Sequence, residues 1–309
     1  MSELAEKVAL SIDRLKCYEG LQHNESYYLA FSGGKDSCVV KRLMDMAGVK
    51  YDAHYRVTSV DPPELVQFIK EQHPDVEREV PKYGPRRGPE WEGKPITMWN
   101  LIPWKLMPPT RIARYCCDYL KEGGGDGRLA VTGVRWAESV NRSKRQGIAT
   151  VFGGDVNESV RNSPYFRVTG NRGAVLVNDN AESRQILDAC VTRHKTCLNP
   201  IIDWTDRDIW DFINGEKIPV CDLYHEGFHR LGCIGCPMAS IRERTAQFAR
   251  WPTYKRAYMR AIQRMLEVRK ERGMPWQYGE TADDVYHWWM EDGVIPNQEM
   301  LEEFEEEMA

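Results

Sequence analysis

Long hydrophobic runs are missing from this sequence of 309 residues. No apolar stretch approaches the roughly 20 residues that a membrane-spanning helix needs. The opening segment MSELAEKVALSIDRLK is charged throughout and lacks the apolar centre of a signal peptide. Internal repeats and low-complexity tracts are also missing. With 42% hydrophobic residues, the sequence predicts a globular protein of the cytoplasm with no membrane partner.

Apolar periodicity alternates between strands and helices along the first eighty residues. An amphipathic helix is predicted over 3–21, followed by a strand at 26–31 and a helix at 37–48. The segments YDAHYRVTSV, PPELVQFIKEQ and DVEREV continue as strand, helix and strand. This βαβαβ order predicts an α/β fold with a parallel sheet flanked by helices.

Three regions are expected along the chain. We predict an amino-terminal helix within residues 1–25, an α/β domain over 26–220 and a mostly helical region over 221–309. The glycine- and asparagine-rich stretch at about 150–185 predicts an inserted hairpin or flap outside the core. Thr205 is the predicted cap of the helix TDRDIWDFINGEKIP, with Asp208 at its third position.

The first strand runs directly into the polar segment SGGKDS, residues 32–37. A turn between a strand and a helix brings backbone N–H groups together at the positive end of the helix dipole. Gly33 and Gly34 allow close backbone approach, Ser32 and Ser37 supply hydroxyl groups, and Lys35 adds a charge. The spacing fits neither a Walker A loop nor a dinucleotide-binding turn. We favour phosphate binding over the alternative, an ordinary tight turn with a solvated lysine.

Two cysteine pairs stand out among nine cysteines, which a reducing compartment would keep free of disulfides. Cys116 and Cys117 are adjacent, and Cys233 and Cys236 form a Cys-x-x-Cys motif. Four thiolates can bind zinc or a [4Fe–4S] cluster, and one Cys-x-x-Cys alone can be a redox pair. Adjacent ligands are awkward on one tetrahedral ion because their side chains diverge. We therefore favour the cluster over zinc.

The other cysteines carry weaker expectations. Cys38 is predicted to lie in the helix behind the loop. Cys17, Cys190, Cys197 and Cys221 are predicted to be small buried apolar residues. A redox pair of Cys190 and Cys197 stays an alternative.

Four motifs together resemble a known family. SGGKDS resembles the pyrophosphate loop of the adenine nucleotide alpha-hydrolase superfamily, the PP-loop ATP pyrophosphatases. TGVRWAESVNR (132–142), NPIIDWTDRDIWDFI (199–213) and LYHEGFHRLGCIGCP (223–237) resemble the phosphoadenosine phosphosulfate (PAPS) reductase family in order and wording. The resemblance spans roughly residues 27–240 and implies a Rossmann-like fold that binds ATP or a sulfonucleotide, adenylyl sulfate (APS) or PAPS, at the carboxyl edge of the sheet.

The resemblance also implies the residues of the site. The phosphates would be held by Ser32, Gly33, Gly34, Lys35, Asp36 and Ser37, and the same pocket would be lined by Gly133, Arg135, Glu138 and Arg142. Lys35, Asp36, Arg135 and Arg142 are the implied catalytic residues, and Asp36 would help to place Mg²⁺. In the iron–sulfur branch of the family, the ligands that correspond to Cys116, Cys117, Cys233 and Cys236 hold a [4Fe–4S] cluster.

Three functions are weighed on this basis. Sulfonucleotide reductases of the family attack with a cysteine in a carboxyl-terminal tail, and no cysteine follows Cys236 here. The ATP pyrophosphatase of DNA phosphorothioation keeps the loop and the ligands without that tail, and works with a cysteine desulfurase. By elimination we favour this branch, in which ATP activates a nucleic acid for sulfur incorporation. The alternatives are a reductase that releases sulfite with thioredoxin, and a non-catalytic nucleotide- and redox-sensing module. The sequence leaves open whether the chain forms a homodimer.

A basic segment is the candidate nucleic-acid surface. Residues 242–272 carry ten Lys or Arg against three Glu. Phe248, Trp251, Tyr254 and Tyr258 are interleaved with these cations and could stack on bases. The same spacing is equally consistent with aromatic side chains that pack inward. The loops KYGPRRG (82–88) and RSKRQG (142–147) add further positive charge.

Overall fold

A computed structural model of the chain describes residues 3–19, 26–125, 127–138, 146–152, 164, 166–168, 174–176 and 195–291. The chain forms two compact units. The first comprises Met1–Val57, Asp61–Val80 and Gly123–Gly232, and the second comprises Thr58–Val60, Pro81–Glu122 and Cys233–Ala309. Residues 81–122 thus belong with the carboxyl-terminal region, although strands of the first unit precede and follow them. The boundary near residue 220 stays a prediction.

A sheet of eight strands forms the centre of the first unit. Its strands are β1 Tyr27–Ala30, β2 Tyr51–Arg56, β3 Glu77–Glu79, β4 Leu129–Val131, β5 Ala149–Phe152, β6 Phe166–Val168, β7 Ala174–Leu176 and β8 Lys195–Leu198. Their spatial order is β3-β2-β1-β4-β8-β5-β7-β6. The first five in this order pair in parallel, with Tyr28 opposite Asp52 on one side and Ala130 on the other. The predicted α/β class is confirmed.

The segment predicted as a flap supplies the antiparallel strands of the sheet. Strand β5 pairs with β8, so that Thr150 lies opposite Cys197, and β7 pairs with both β5 and β6. We expected this segment to lie outside the core. Instead, Ala174, Val175 and Leu176 are fully buried. The reason is that β7 has a neighbouring strand on each side, a position that suits a continuous apolar run.

Helices are present at the four predicted positions in the first unit and along the carboxyl-terminal region, and two further helices, at Met98–Lys105 and Tyr115–Leu120, were not predicted. They are α1 Glu3–Glu19, α2 Lys35–Ala47, α3 Pro63–Gln72, α4 Met98–Lys105, α5 Tyr115–Leu120, α6 Asp206–Glu216, α7 Ile241–Arg250, α8 Pro252–Glu271 and α9 Ala282–Met290. Helix α2 ends where Gly48 adopts a φ of 68°. Helix α6 begins with the predicted capping box of Thr205 and Asp208. Within the described ranges, no helix is long and apolar enough to cross a membrane.

Aromatic side chains and a buried arginine form the core of the second unit. Helix α8 packs against α4 and α9, and Phe248, Tyr258 and Trp289 are at most 4% exposed. Arg244 is fully buried and donates through Nη1 and Nη2 to the carbonyl oxygens of Trp289 and Met290, at 3.0 and 3.2 Å. Because these carbonyls end α9, the arginine completes a helix terminus that would otherwise lack donors.

Most aromatic side chains of the basic segment 242–272 are buried and therefore cannot stack on bases. Phe248, Trp251 and Tyr258 are 4%, 7% and 1% exposed. The Tyr258 hydroxyl donates to the Ile234 carbonyl oxygen at 3.0 Å. Of the two arrangements that the helical spacing allows, the structure has the one in which the aromatic face is buried.

Candidate functional site

The turn after β1 is shaped by two glycines. Gly33 has a φ of +74°, and a Cβ at this position would lie 2.7 Å from Cδ1 and Cγ1 of Ile69. Gly34 follows in an extended conformation as the N-cap of α2. Both the backbone angle and the packing against α3 exclude a side chain at Gly33. Glycine is thus required at Gly33, whereas a Cβ at Gly34 would lie at contact distances of 3.4 and 3.5 Å from Ser32 Oγ and the Tyr224 hydroxyl oxygen.

The two loop serines and the start of α2 are joined by hydrogen bonds. The Ser37 hydroxyl donates to the Gly34 carbonyl oxygen at 2.8 Å. The Ser32 Oγ lies 3.3 Å from the Ser37 Oγ and accepts the Gly34 N–H at 3.4 Å. The Lys35 N–H donates to the Tyr224 hydroxyl oxygen at 2.9 Å. The predicted donors lie together at the positive end of α2. One of them, the Lys35 N–H, is already bonded to the Tyr224 hydroxyl oxygen, in a position where an anion could accept it.

Lys35 is held in place rather than extended into solvent. It is 7% exposed. Its Nζ lies 3.5 Å from both the His229 carbonyl oxygen and Asp36 Oδ2, and 3.9 Å from Asp206 Oδ1. The Nζ also lies 5.9 Å from the centre of the Tyr224 ring. A buried ammonium group between these partners is a preorganised positive charge at the mouth of β1.

Arg135, four residues after β4, is 1% exposed. Its Nε donates to Asp36 Oδ1 and its Nη2 to Asp206 Oδ1, both at 2.7 Å, and its Nη1 donates to the Trp204 carbonyl oxygen at 3.1 Å. Burial lowers the pKa of Arg135, but the two carboxylates outweigh that effect and hold this pKa above its ordinary value. The hydrogen bond to Arg135 also lowers the pKa of Asp206. Arg135 therefore joins the first turn of α2 to the first turn of α6.

The remaining predicted residues of the second motif support this arrangement. A Cβ at Gly133 would lie 3.0 Å from the Asp36 carbonyl carbon, so this glycine allows close packing against the start of α2. The Glu138 Oε2 accepts the Arg135 N–H at 3.3 Å. Arg142 lies outside the described residues. The structure thus brings Gly133, Arg135 and Glu138 together with Asp36.

Three residues of this site were missed in the sequence, namely Asp206, Tyr224 and His229. All three lie inside the motifs at 199–213 and 223–237 that carry the family resemblance. Asp206 follows a predicted helix cap, which was a usable signal for a polar group at a helix start. Tyr224 and the His229 carbonyl gave no such signal, because only their contacts with Lys35 make them part of the site.

The four predicted metal ligands all belong to the second unit. Cys116 and Cys117 lie in the first turn of α5, and Cys233 and Cys236 flank a turn in which the Cys236 N–H donates to the Cys233 carbonyl oxygen at 3.2 Å. Gly235 in this turn has a φ of +73°. All four thiols are half-buried, and none is in a disulfide.

These thiols influence one another electrostatically. The hydrogen bond with Cys117, burial, and the charges of Cys117, Cys233 and Cys236 raise the pKa of Cys116. The same hydrogen bond lowers the pKa of Cys117, as does Arg114, whose Nη2 donates to Cys117 Sγ at 3.4 Å. Within the described residues, however, no group of three His, Cys, Asp or Glu side chains is arranged to hold a metal ion. The four sulfurs are neighbours that do not converge on one ion.

Cys38 lies behind the loop, as predicted. It is 2% exposed, and its Sγ lies 3.8 Å from His73 Nε2. Burial raises the pKa of Cys38 to about 12 and lowers the pKa of His73 to about 4. The rings of Phe31 and Phe68 contact His73 edge-on, at 4.7 and 5.3 Å between centres. The neighbourhood is apolar, so both groups are held neutral.

The remaining cysteines divide into buried and exposed. Cys197 and Cys221 are buried, as predicted. Cys17 is exposed, which corrects our expectation. It lies beside the buried stripe of α1, which includes Arg14, Leu15 and Tyr18. Cys190 lies outside the described residues, and its redox pairing with Cys197 stays an alternative that nothing tests.

Comparisons with known proteins cover most of the first unit and part of the second. The family model for the phosphoadenosine phosphosulfate reductase domain matches residues 26–239. The adenosine 5'-phosphosulfate reductase of Neisseria meningitidis is 36% identical over 53 residues, which are 17% of this chain and 22% of the reductase. The reductase of the same name from Allochromatium vinosum is 30% identical over 54 residues, which are 18% and 21% of the two chains. The match thus spans about a fifth of the length of these reductases.

Longer but weaker similarities extend over more of the chain. An uncharacterized protein of Methanocaldococcus jannaschii is 24% identical over 281 residues, which are 88% of this chain and 54% of that protein. Among solved structures, the FMN adenylyltransferase of Candida glabrata in complex with ATP is 15% identical, with a TM-score of 0.39, over 75% of this chain and 62% of that one. The phosphoadenylyl-sulfate reductase of Candida auris in a phosphate complex is 11% identical, with a TM-score of 0.37, over 75% and 96%. The family match over residues 26–239 covers well over half of the sequence and agrees with the motifs, and the chain therefore belongs to the phosphoadenosine phosphosulfate reductase domain family.

Proposed function

We propose that this chain is an enzyme that cleaves ATP, with release of pyrophosphate, to activate a nucleic acid for sulfur incorporation, as in DNA phosphorothioation. One observation carries the proposal. The loop 32–37 places two hydroxyl groups, the buried amine of Lys35 and the start of α2 together at the carboxyl end of β1. Such a set of donors suits a chain of phosphates. Family membership supports an adenine nucleotide as the ligand.

The loop residues divide into phosphate-binding and positioning groups. The β and γ phosphates would be held by Ser32, Gly33, Gly34, Lys35 and Ser37, and Asp36 would help to place Mg²⁺. We assign Arg135 as a positioning residue, because its guanidinium is already bonded to Asp36 and Asp206. The charge on the phosphates would then be offset by Lys35 and by Arg142. For Arg142 this is the catalytic role that the family resemblance implies.

The reaction has three steps. An acceptor oxygen forms a bond to the α-phosphorus of ATP, and the bond from that phosphorus to pyrophosphate breaks. Lys35 offsets the negative charge that develops on the departing pyrophosphate. The terminal sulfur of a persulfide, supplied by a cysteine desulfurase, then bonds to the activated atom of the acceptor while the activated oxygen leaves with AMP. A thiol reductant next attacks the donor sulfur of the resulting S–S bond, forms a disulfide with it and leaves the transferred sulfur on the acceptor.

We also propose that Cys116, Cys117, Cys233 and Cys236 hold a [4Fe–4S] cluster. All four thiols are half-buried and belong to one unit. A cluster takes one thiolate at each of four iron atoms, and these four cysteines are the ones that the family resemblance implies as its ligands. When bound, the cluster would supply a site for electrons or for sulfur.

A second candidate function is sulfonucleotide reduction. It is favoured by the relatives named adenosine 5'-phosphosulfate reductase. In that reaction a cysteine thiolate bonds to the sulfur of APS or PAPS while the nucleotide leaves, and the two thiols of thioredoxin then reduce the product and release sulfite. Cys190 or Cys197 would have to supply the thiolate, and Cys197 is 8% exposed in β8.

An anaerobic assay separates these functions. Full-length protein receives either ATP with a DNA oligonucleotide or APS with thioredoxin. Pyrophosphate release supports the first proposal, and sulfite release supports the second. Nucleotide binding without turnover contradicts both and supports a sensing module.

The Lys35→Ala variant tests the site itself. We expect it to abolish nucleotide binding with an unchanged circular dichroism spectrum, because it removes the buried charge of the loop. Lys41→Ala is the matched control, since Lys41 lies on the same helix and pairs with Asp75 at 2.9 Å. If Lys35→Ala bound the nucleotide with wild-type affinity, Lys35 would not be part of the site.

A further inference from the structure

Residues 81–122 carry an excess of positive charge. They contain eight Lys or Arg against four Asp or Glu, in a chain whose formal net charge is −4. This segment belongs to the second unit and is separate in sequence from the basic segment 242–272. An excess of cations over a short stretch favours a polyanionic partner.

The cations of this segment lie against aromatic rings. The guanidinium of Arg87 is held between Trp91 and Trp104, with its Cζ 4.8 and 4.5 Å from the ring centres. Lys94 Nζ lies 5.4 Å from the centre of the Trp91 ring, and Lys105 Nζ lies 4.9 Å from the centre of the Trp104 ring. A ring face orients a cation without neutralising it. These positive charges thus remain available to an anion.

Two tyrosines hold the rings in place. Tyr83 packs edge-on against Trp91 and Trp104, with 5.4 Å between ring centres in each case. Tyr119 packs edge-on against Trp104 at 5.1 Å, and Lys105 Nζ lies 4.9 Å from its ring centre. The cations and rings therefore form one connected arrangement whose geometry exists before any ligand arrives.

Two donors in this arrangement are unsatisfied. In the described part of the chain, the Tyr83 hydroxyl and the Arg87 Nε are buried without a hydrogen-bond partner, and Tyr83 is 4% exposed. Burial lowers the pKa of Arg87, and the charges of Tyr83 and Glu90 oppose this effect in part. An unsatisfied buried donor destabilises the folded chain. Both donors belong to side chains that contact the same two rings, Arg87 across their faces and Tyr83 edge-on.

The chemistry of the surface limits the classes of ligand that it can bind. Lysine and arginine side chains are donors only, so the ligand must present several acceptors with negative charge. Lys94 is exposed, and Arg87, Trp91, Trp104 and Lys105 are half-buried, so a partner can reach them. Cations interleaved with aromatic rings are typical of sites for single-stranded nucleic acid, whose unpaired bases can lie against ring edges and faces.

We propose that the surface formed by Arg87, Trp91, Lys94, Trp104, Lys105 and Tyr119 binds the phosphodiester backbone of single-stranded nucleic acid. This inference deepens the proposed function, on which it rests for the identity of the sulfur acceptor. It assigns the docking of the acceptor to this surface rather than to the aromatic face of 242–272, which is buried.

Fluorescence anisotropy with the full chain and a labelled 20-nucleotide single strand tests the proposal. The variant Lys94→Glu/Lys105→Glu should weaken binding at least tenfold. The milder Lys94→Ala/Lys105→Ala should reduce the slope of log Kd against log salt by about 1.4, since each lost phosphate contact contributes about 0.7 for single strands. Lys255→Glu is the matched control, because Lys255 also lies over a ring, that of Tyr286 at 4.8 Å, but on α8. It should change affinity less than twofold.

Several results would overturn the proposal. These are unchanged affinity in the Lys94/Lys105 variants, an equal loss in Lys255→Glu, tighter binding of a duplex, and equal competition by polyglutamate of the same length. Binding of either DNA or RNA supports it, and the preference between them indicates the acceptor.

Pyrophosphate release from ATP, measured on the same proteins with the strand present as the acceptor, separates the two proposals. Strand binding without ATP cleavage would support the proposed binding surface and contradict the proposed enzymatic activity. ATP cleavage without strand binding would support the enzymatic activity and contradict the binding surface.

Discussion

The two units of this protein hold their cations in different ways. In the first unit, Arg135 is bonded to the carboxylates of Asp36 and Asp206. In the second unit, Arg87 lies between two tryptophan rings, and Arg269 lies 4.8 Å from the centre of a third. A carboxylate neutralises its partner and fixes a site, whereas a ring orients a cation and leaves its charge in place. The first arrangement suits a rigid nucleotide loop, and the second suits attraction of a polyanion.

The largest effect is expected at the cysteines of the second unit. Cys236→Ser should remove the absorption near about 400 nm that a [4Fe–4S] cluster gives anaerobically purified protein, together with its bound iron. Cys17→Ser, a change of an exposed cysteine, should retain both. Lys35→Ala should also retain them, because Lys35 belongs to the first unit. Colourless wild-type protein with stoichiometric zinc would contradict the cluster.

The next effect compares an arginine paired with carboxylates and one held by a ring. Arg135→Met should lower the free energy of unfolding by about 3–5 kcal/mol, because it leaves two carboxylates without their buried partner. Arg269→Met should lower it by about 1–3 kcal/mol, because it removes a ring contact and the hydrogen bonds to the Leu106 and Pro275 carbonyl oxygens, at 2.8 and 3.4 Å.

Urea unfolding measures both arginine variants. Arg207→Ala is the control, since the Arg207 side chain is 89% exposed, and it should change stability by less than about 0.5 kcal/mol. An equal or larger loss in Arg269→Met would show that the two arrangements do not differ in the way we describe.

A smaller effect depends on pH and belongs to the first unit. Burial lowers the pKa of His73 to about 4, whereas an unfolded histidine titrates near 6.5. Because the folded value is the lower one, the stability that neutral His73 contributes is complete above about pH 6.5 and is lost as the pH falls towards 4. The loss should reach about 2–3 kcal/mol. Urea unfolding gives the free energy of unfolding at pH 7 and at pH 4.5 for the wild type and for His73→Gln. The decrease between the two pH values should be smaller in His73→Gln by this amount. An equal decrease in the two proteins would refute the role of His73.

The smallest effects concern glycines with positive φ in both units. Gly33→Ala and Gly235→Ala combine backbone strain with a close contact, since a Cβ would lie 2.7 Å from Ile69 and 2.6 Å from Phe248. Each should cost about 1–3 kcal/mol more than a control in open space. The controls are Gly48→Ala and Gly273→Ala, with φ of 68° and 69° and nothing within 4 Å. Equal costs within a pair would show that the neighbouring side chain moves away freely.

Local features of the nucleotide loop could be predicted from the sequence. Helix α2 was predicted over 37–48 and is observed at Lys35–Ala47, and the capping box of α6 is present as expected. These features depend on neighbours a few residues apart. The inward packing of Phe248 and Tyr258 could not be predicted, because helical spacing of aromatic residues does not say which face is covered.

The sequence by itself determined the order of strands and helices, the glycine turn at Gly33, the two cysteine pairs and the family. Only the tertiary structure decided that Arg135 bonds Asp36, 99 positions away, and that Tyr224 takes the Lys35 N–H from 189 positions away. It also decided that residues 81–122 join the second unit, where their cations meet aromatic rings. The physical reason is range: backbone preferences and caps act within one or two turns, whereas contacts between distant residues depend on how the whole chain packs.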